Sequence, residues 1–290
     1  MKTDCYTFKI VNFDNSILDS FIDMTYVLVM ENSKREKNMY KELNLFKPTK
    51  KVKIQYNKGF KNCKKKLYDY QTNWDLMDAT YNIMLNAKKN DYKNILILEE
   101  DFIVNNNEIT NKNIENIKNY ITNEKIDVYL LGNFIPSINV KFNTHLKCSY
   151  YKLPCGGTHG YIITNTGIDT VIHLYESGNY NLLKNISNNG HIDWLYNSTY
   201  FKTYYYYKPL IIQPLEETEN LLLNNFSYKI SNKLIYKLKL LYINLFGLNK
   251  KNKNKLINSY NNLYTYSKIL IPVFFIIILF IIFIIINNAK

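Results

Sequence analysis

The sequence predicts an α/β fold with a mixed, mostly parallel sheet flanked by helices, followed by a C-terminal amphipathic helix and a single transmembrane helix. Over residues 1–225, short β-rich apolar runs alternate with segments of helical periodicity, which is the pattern of an α/β sheet. Residues 226–247 place leucines on one helical face and lysines mostly elsewhere, and an uncharged apolar run closes the chain. We therefore divide the chain into a domain at 1–225, a basic amphipathic helix at 226–247, a polar juxtamembrane linker at 248–268 and a transmembrane tail anchor at 269–286.

The elements of the domain follow from local patterns. The run "TYVLVM" at residues 25–30 predicts a strand, and the segment after it has helical composition with Ser33 as its N-cap. "KVKIQY" alternates apolar and polar residues as a second strand should. Residues 74–88 form an amphipathic helix that precedes the buried strand "NILIL". The remaining predicted elements are a helix at 112–122, a strand in "DVYLLG", a Gly-rich turn in "PCGGTHG", a strand "YIIT" and a helix from Thr166.

The net charge of +13 is unevenly distributed, which bears on nucleic acid as a partner. Of the 37 Lys and Arg, ten Lys follow residue 225, where there is no Asp or Glu. Residues 1–225 therefore carry 27 basic against 24 acidic side chains, and a nearly balanced domain disfavours a nucleic-acid binder.

The apolar run Ile269–Ile286 predicts a tail anchor, because 18 residues at about 1.5 Å each nearly span a hydrocarbon core of roughly 30 Å. Five lysines precede the run and only Lys290 follows it, so we expect the domain to face the cytosol. Four Cys without zinc-finger spacing or the density of a disulfide scaffold fit a reducing compartment. The helix at 226–247 fits either the membrane interface or a position packed on the domain.

The stretch "NILILEED" places three acids directly after a buried strand. Ligands of open α/β sheets bind beyond the carboxyl ends of the strands, where Glu99, Glu100 and Asp101 follow "ILIL". Side-chain alternation sends Glu99 and Asp101 to one side, where their oxygens suit Mn²⁺ or Mg²⁺. The alternative is a strand that ends in a solvated turn.

At this point the sequence resembles glycosyltransferase family 25, the lipopolysaccharide-type and collagen-type sugar transferases. "ILILEEDF" is similar to the family's DxD-like element "hLILEDDh", and "TYVLVMENSKREKNM" resembles its opening segment, with Arg35 at the family's Arg. "GGTHGYIITNTGIDTVI" and "HIDWLY" match two later elements in the family's order, so the likeness spans 25–213. Departures are Met30-Glu31 in place of Asn-Leu, a missing "SH" segment and Glu100 in place of Asp.

The resemblance implies a GT-A-like, Rossmann-type domain that transfers a sugar from a nucleotide donor, most simply a UDP-sugar, to a hydroxyl of a glycan, protein or lipid. It implies a divalent metal, Mn²⁺ or Mg²⁺, held by Asp101 with help from Glu99, and charge-assisted hydrogen bonds from Arg35 to the donor. Asp193 in "HIDW" is the candidate catalytic base, although an Asp there also suits the cap of a helix.

Some alternatives stay open at the level of sequence. His159 and His191 are second-choice metal ligands, and the Lys-rich stretch at 47–66 either attracts a diphosphate or forms a solvated face. For the whole chain, the alternative to a transferase is a non-catalytic, membrane-tethered scaffold or virion-type protein with a degenerate transferase domain. Glu100 and the missing "SH" segment favour that alternative slightly.

Overall fold

We describe the protein from a computed structural model, which covers residues 5–65, 72–133, 144–148, 156–215, 240–241 and 243–263. The strands are β1 (Tyr6–Asn12), β2 (Met24–Met30), β3 (Lys51–Asn57), β4 (Asn94–Glu99), β5 (Ile103–Val104), β6 (Val128–Leu130), β7 (His145–Lys147), β8 (Gly160–Thr164), β9 (Thr203–Tyr206) and β10 (Ile211–Ile212). The helices of the domain are α1 (Glu36–Phe46), α2 (Thr72–Lys89), α3 (Asn111–Asn123), α4 (Asn165–Glu176), α5 (Tyr180–Ile186) and α6 (Ile192–Asn197). The predicted alternation of strands and helices is thus confirmed.

Eight strands form one sheet in the order β1-β3-β2-β4-β8-β6-β9-β7, and β5 and β10 form a separate antiparallel pair. The pairs β2–β3, β2–β4 and β6–β9 are parallel, whereas β8 runs antiparallel to both of its neighbours, β4 and β6. β1 and β7 are antiparallel edge strands. The predicted mixed sheet flanked by helices is thus confirmed, and an antiparallel strand, β8, lies near its centre.

Each face of the sheet carries its own apolar core. One core packs α2, α4 and α6 against the side chains of one face, including Tyr26, Ile97 and Tyr161. The other packs α1 and α3 against the opposite face, including Val27 and Leu98. Because β4 is central and lies between both cores, its residues 95–98 are completely buried, which explains the unbroken aliphatic run.

The predicted single transmembrane helix is not supported, and this part of the fold class is a correction. Across the ranges that the structure describes, no helix is both long enough and apolar enough to span a bilayer. The run Ile269–Ile286 lies outside those ranges.

The segment after residue 240 contributes to the domain. Residues 253–263, predicted as part of a polar linker, are helical and bury Leu256, Ile257, Tyr260 and Leu263 against a third apolar cluster that includes Ile212. Lys253 Nζ forms an ion pair with Glu42 of α1 at 2.7 Å, and Tyr260 donates a hydrogen bond to the carbonyl of Gln213 at 2.9 Å. Apolar residues at positions 256, 260 and 263 share one helical face, so this segment packs on the domain rather than forming a linker.

Only the end of the predicted amphipathic helix at 226–247 falls within the described ranges. Ile243 is buried in the third apolar cluster, while Leu241 and Leu245 are exposed. Residues 226–239 lie outside the described ranges.

The cysteines differ from expectation. Cys5 and Cys63 form a disulfide with a Cα–Cα distance of 5.5 Å, and Cys148 is also disulfide-bonded. Disulfides are typical of oxidising compartments, whereas the spacing of the cysteines favours a reducing one, and the compartment stays a prediction.

Candidate active site

Strand β4 delivers the three acids to one end of the sheet. β2 runs parallel to both β3 and β4, and the register pairs Met30 with Asn57 and Leu28 with Glu99, so the carboxyl ends of the three strands meet at the same edge. The chain turns directly after β4, where the amide of Phe102 donates to the carbonyl of Glu99 at 3.1 Å. Glu99, Glu100 and Asp101 therefore lie at the place where α/β sheets bind ligands.

Arg35 reaches these acids from the segment that follows β2. Its Nη1 lies 3.3 Å from Asp101 Oδ2 and 3.9 Å from Glu100 Oε1. Arg35, not the predicted Ser33, occupies the N-cap position of α1, and it makes no side-chain cap bond. Ser33 Oγ instead accepts the amide of Arg35 at 3.1 Å, which shapes the turn between β2 and α1. This turn brings a guanidinium over the acids, where it offsets part of their charge.

Glu100 lines the same cavity as the other two acids but also contacts the backbone. Its Oε2 accepts the backbone amide of Met30 at 3.0 Å, so it joins the end of β2 to the turn after β4. This contact gives Glu100 a structural role.

The pKa of Glu99 is strongly perturbed. Burial, and next the nearby carboxylates of Asp101 and Asp193, raise its pKa from 4.5 to about 8. A hydrogen bond from Thr158 Oγ1 to Glu99 Oε1, at 3.2 Å, opposes the shift. The site therefore concentrates more negative charge than its own residues neutralise.

The raised pKa predicts that Glu99 weakens the fold as pH rises. Between about pH 4.5 and 8 the folded chain keeps a proton that the unfolded chain releases, so this stabilisation is complete below pH 4.5 and is lost as pH rises through 8. Glu99→Gln keeps an oxygen for Thr158 and does not titrate. We expect the wild type to lose on the order of 4 kcal/mol more stability than Glu99→Gln between pH 5 and 8.5.

Urea unfolding of both proteins in chelator-treated buffer at the two pH values measures this difference. Glu115→Gln is the matched control, because Glu115 is an exposed residue of α3. A wild type and a Glu99→Gln variant with parallel pH profiles would contradict the assignment.

Asp193 enters the same site from the first turn of α6. Its Oδ1 accepts the backbone amides of Gly157 and Thr158 at 3.3 and 3.1 Å. The N-cap of α6 is His191, which makes no side-chain cap bond. Asp193 thus does not act as the cap. It fixes the turn before β8, in which Gly157 has a φ of 103° that favours glycine.

The predicted residues line one cavity of about 800 Å³, a volume typical of small-molecule sites. Arg35, Glu99, Asp101 and Asp193 all face it, together with Glu100. The structure therefore brings together side chains that come from three separate parts of the sequence.

The two second-choice ligands differ in position. His191 lines the cavity, and its Nε2 is 2.9 Å from Asn73 Nδ2. His159 lies outside the lining and donates from Nε2 to the carbonyl of Ile211 at 3.0 Å. Burial lowers the pKa of His159 to about 4, so it is neutral and serves a structural contact.

The sequence did not single out one wall of the cavity. Lys58, Gly59, Phe60, Lys61 and Asn62 line it after the end of β3. Two of these are lysines from the stretch for which a solvated face and a diphosphate-attracting surface were both open, and they add positive charge to the lining that also contains the acids. No local sequence signal marks Phe60 or the glycine as part of a site.

Among the residues that the structure describes, no group of three or more His, Cys, Asp or Glu side chains is arranged to hold a metal. A Mg²⁺ or Mn²⁺ ion that uses substrate phosphates needs only one or two carboxylates from the protein. Glu99 and Asp101 meet that requirement, and the raised pKa of Glu99 indicates the excess negative charge that a cation would offset.

Comparison with known proteins gives structural matches with TM-scores below 0.5 and no family. No protein-family model matches the sequence, and no curated protein matches it. Among solved structures, the chain is similar to "A197 from STIV", with 14% identity and a TM-score of 0.33 over 63% of this chain and 80% of that chain. It is also similar to a glycosyltransferase involved in the glycosylation of the major capsid of PBCV-1, with 11% identity and a TM-score of 0.31 over 55% of this chain and 70% of that chain. Membership of glycosyltransferase family 25 is not confirmed by these comparisons.

Proposed function

We propose that the chain is a glycosyltransferase that transfers a sugar from a UDP-sugar to a hydroxyl of a glycan, protein or lipid acceptor. The observation that carries the proposal is the cavity at the carboxyl ends of β2, β3 and β4, which gathers Arg35, Glu99, Asp101 and Asp193. Its volume suits a nucleotide sugar, and it combines carboxylates with cationic groups at the rim, as binding of a diphosphate requires.

Each residue has a distinct part in this proposal. Asp101 and Glu99 would hold a divalent metal, which would supply neutralisation of the charge that develops on the leaving diphosphate. Arg35 would donate hydrogen bonds to phosphate oxygens of the nucleotide sugar. Its side chain is 42% exposed and is therefore accessible for this contact. Asp193 would accept the proton of the acceptor hydroxyl, because two backbone amides hold its carboxylate in one orientation at the cavity wall.

Calorimetric titration of the full chain with UDP tests the proposal against the non-catalytic scaffold. We expect UDP to bind in the presence of Mn²⁺ and to lose at least about tenfold in affinity when the metal is chelated, a change of about 1.4 kcal/mol. Binding should also release a proton near pH 7, since cation binding to Glu99 displaces the proton that its raised pKa retains. Titrations in buffers of different ionisation enthalpy measure that release.

A chain that binds no UDP with or without Mn²⁺ would support the scaffold instead. Where UDP binds, a panel of nucleotide sugars identifies the donor by the appearance of free UDP. Asp101→Asn is the matched variant in the titration, because it removes one carboxylate charge while it preserves the size of the side chain.

A further inference from the structure

The segment that follows β3 forms one wall of the cavity. A buried lysine that does not itself line the cavity fixes this wall to the domain. The wall consists of residues 58–62, which line the cavity, and the chain continues to Lys65 before it leaves the described range. The side chain of Lys65 is 1% exposed, although lysine is among the residues that are least often buried. Lys65 does not line the cavity, so its burial needs a reason other than contact with a ligand.

Lys65 connects the wall to Asn57 and Asp75, two lining side chains that we call the floor of the cavity. Its Nζ donates to Asp75 Oδ1 of α2, whose side chain is 7% exposed, and to Asn57 Oδ1 at the end of β3. Asn57 Nδ2 in turn donates to Asp75 Oδ2 at 3.0 Å. The ammonium also lies 4.8 Å from the centre of the Tyr6 ring. Asn57 and Asp75 both line the cavity, so Lys65, which does not line it, hydrogen-bonds two side chains that do.

The same network sets the start of the wall. Asn57 Oδ1 accepts the amide of Gly59 at 2.9 Å, and Gly59 has a φ of 75°, a conformation that favours glycine. The amide of Cys63 donates to the carbonyl of Gly59 at 3.1 Å, and the disulfide to Cys5 attaches this turn to the edge of the sheet. The wall is thus attached to the domain at Gly59, Cys63 and Lys65, and Lys65 contacts both floor side chains, Asn57 and Asp75.

We propose that Lys65 is a positioning residue for the donor site: it fixes the wall at 58–62 and the floor side chains Asn57 and Asp75 in the arrangement that binds the nucleotide sugar. The inference rests on the proposed function. Without the ammonium, the Asp75 carboxylate is buried without its charge partner, and Asn57 loses the donor that orients its oxygen toward Gly59. Because Lys65 lies apart from Glu99, Asp101 and Asp193, its loss affects binding of the donor and leaves the chemical step intact.

Kinetics of the full-length Lys65→Met variant test the proposal. We expect the KM for the donor to rise about tenfold or more while kcat stays within about threefold, which is the signature of lost uniform binding. Hydrogen exchange should show faster exchange of the amides at 59–63, with the centre of α2 unchanged. Lys88→Met is the matched control, since Lys88 forms an exposed Lys–Asp pair at the far end of α2. Its KM should equal that of the wild type.

A second variant covers the case in which Lys65→Met does not fold. Lys65→Met combined with Asp75→Leu removes both buried charges, a replacement that folded proteins often tolerate. It should fold, and it should still show the raised KM and the faster exchange at 59–63. A wild-type KM in either folded variant overturns the positioning role, as does a fall in kcat at unchanged KM. Absence of turnover and of donor binding in the wild type and in Lys88→Met overturns the proposed function itself.

Discussion

Asp101→Asn is expected to lower kcat/KM for sugar transfer by about a thousandfold, which corresponds to a loss of roughly 4 kcal/mol of transition-state stabilisation. Asp101 lies at the end of the central strand, lines the cavity and is the acid nearest Arg35. The amide removes the charge that attracts a cation, and it retains an oxygen for Arg35, so the turn after β4 should keep its shape. Turnover of the donor at saturating acceptor measures the effect.

The matched control for this prediction is Asp169→Asn. Asp169 is an exposed carboxylate of α4 that also pairs with a basic side chain, Lys88 at 2.7 Å, and it does not line the cavity. Its activity should equal that of the wild type. Asp101→Asn activity above about a third of the wild-type value would exclude Asp101 as a main ligand of the metal, since such a small change is below 1 kcal/mol.

Local patterns predicted β4 and its acids because the signal there is contained in eight consecutive residues. A run that is aliphatic at every position indicates a strand buried on both faces, and the acids mark where it ends. Glu99 and Asp101 line the same cavity, as Glu100 also does, and their role toward a metal remains a prediction. The three acids do not share one role, because the carboxylate of Glu100 accepts a hydrogen bond from the backbone amide of Met30 at the end of β2.

Two features could not be predicted because they depend on distant parts of the chain. β8 is buried along its whole length, so "YIIT" has the same pattern whether its neighbours are parallel or antiparallel. The Lys-rich stretch contains both exposed Lys61 and fully buried Lys65, and only the fold separates them, since Asp75 and Asn57 come from α2 and β3.

The helix at 253–263 was predicted as part of a polar linker for a different reason. Its buried residues at 256, 260 and 263 follow helical spacing, but lysines and asparagines fill the positions between them and make the segment read as polar. Lys253 was counted among the charges that flank a membrane anchor, whereas its Nζ forms a partly buried ion pair with Glu42. Charge on a sequence indicates orientation toward a membrane only where the charge remains exposed.

The carboxylate of Asp193 can act as a catalytic base or can fix the turn before β8, and a pair of variants distinguishes these two roles. Asp193→Asn keeps an oxygen for the amides of Gly157 and Thr158, so the turn before β8 should persist, but it cannot accept a proton. We expect kcat to fall by about a hundredfold to a thousandfold with the donor KM unchanged, as is usual for loss of a general base. Asp193→Ala also removes both amide contacts, so it should lower stability and raise the donor KM in addition. Near-normal kcat in Asp193→Asn together with low activity in Asp193→Ala would make Asp193 a structural residue of the turn, and the base would then have to come from another group in the cavity or from the acceptor.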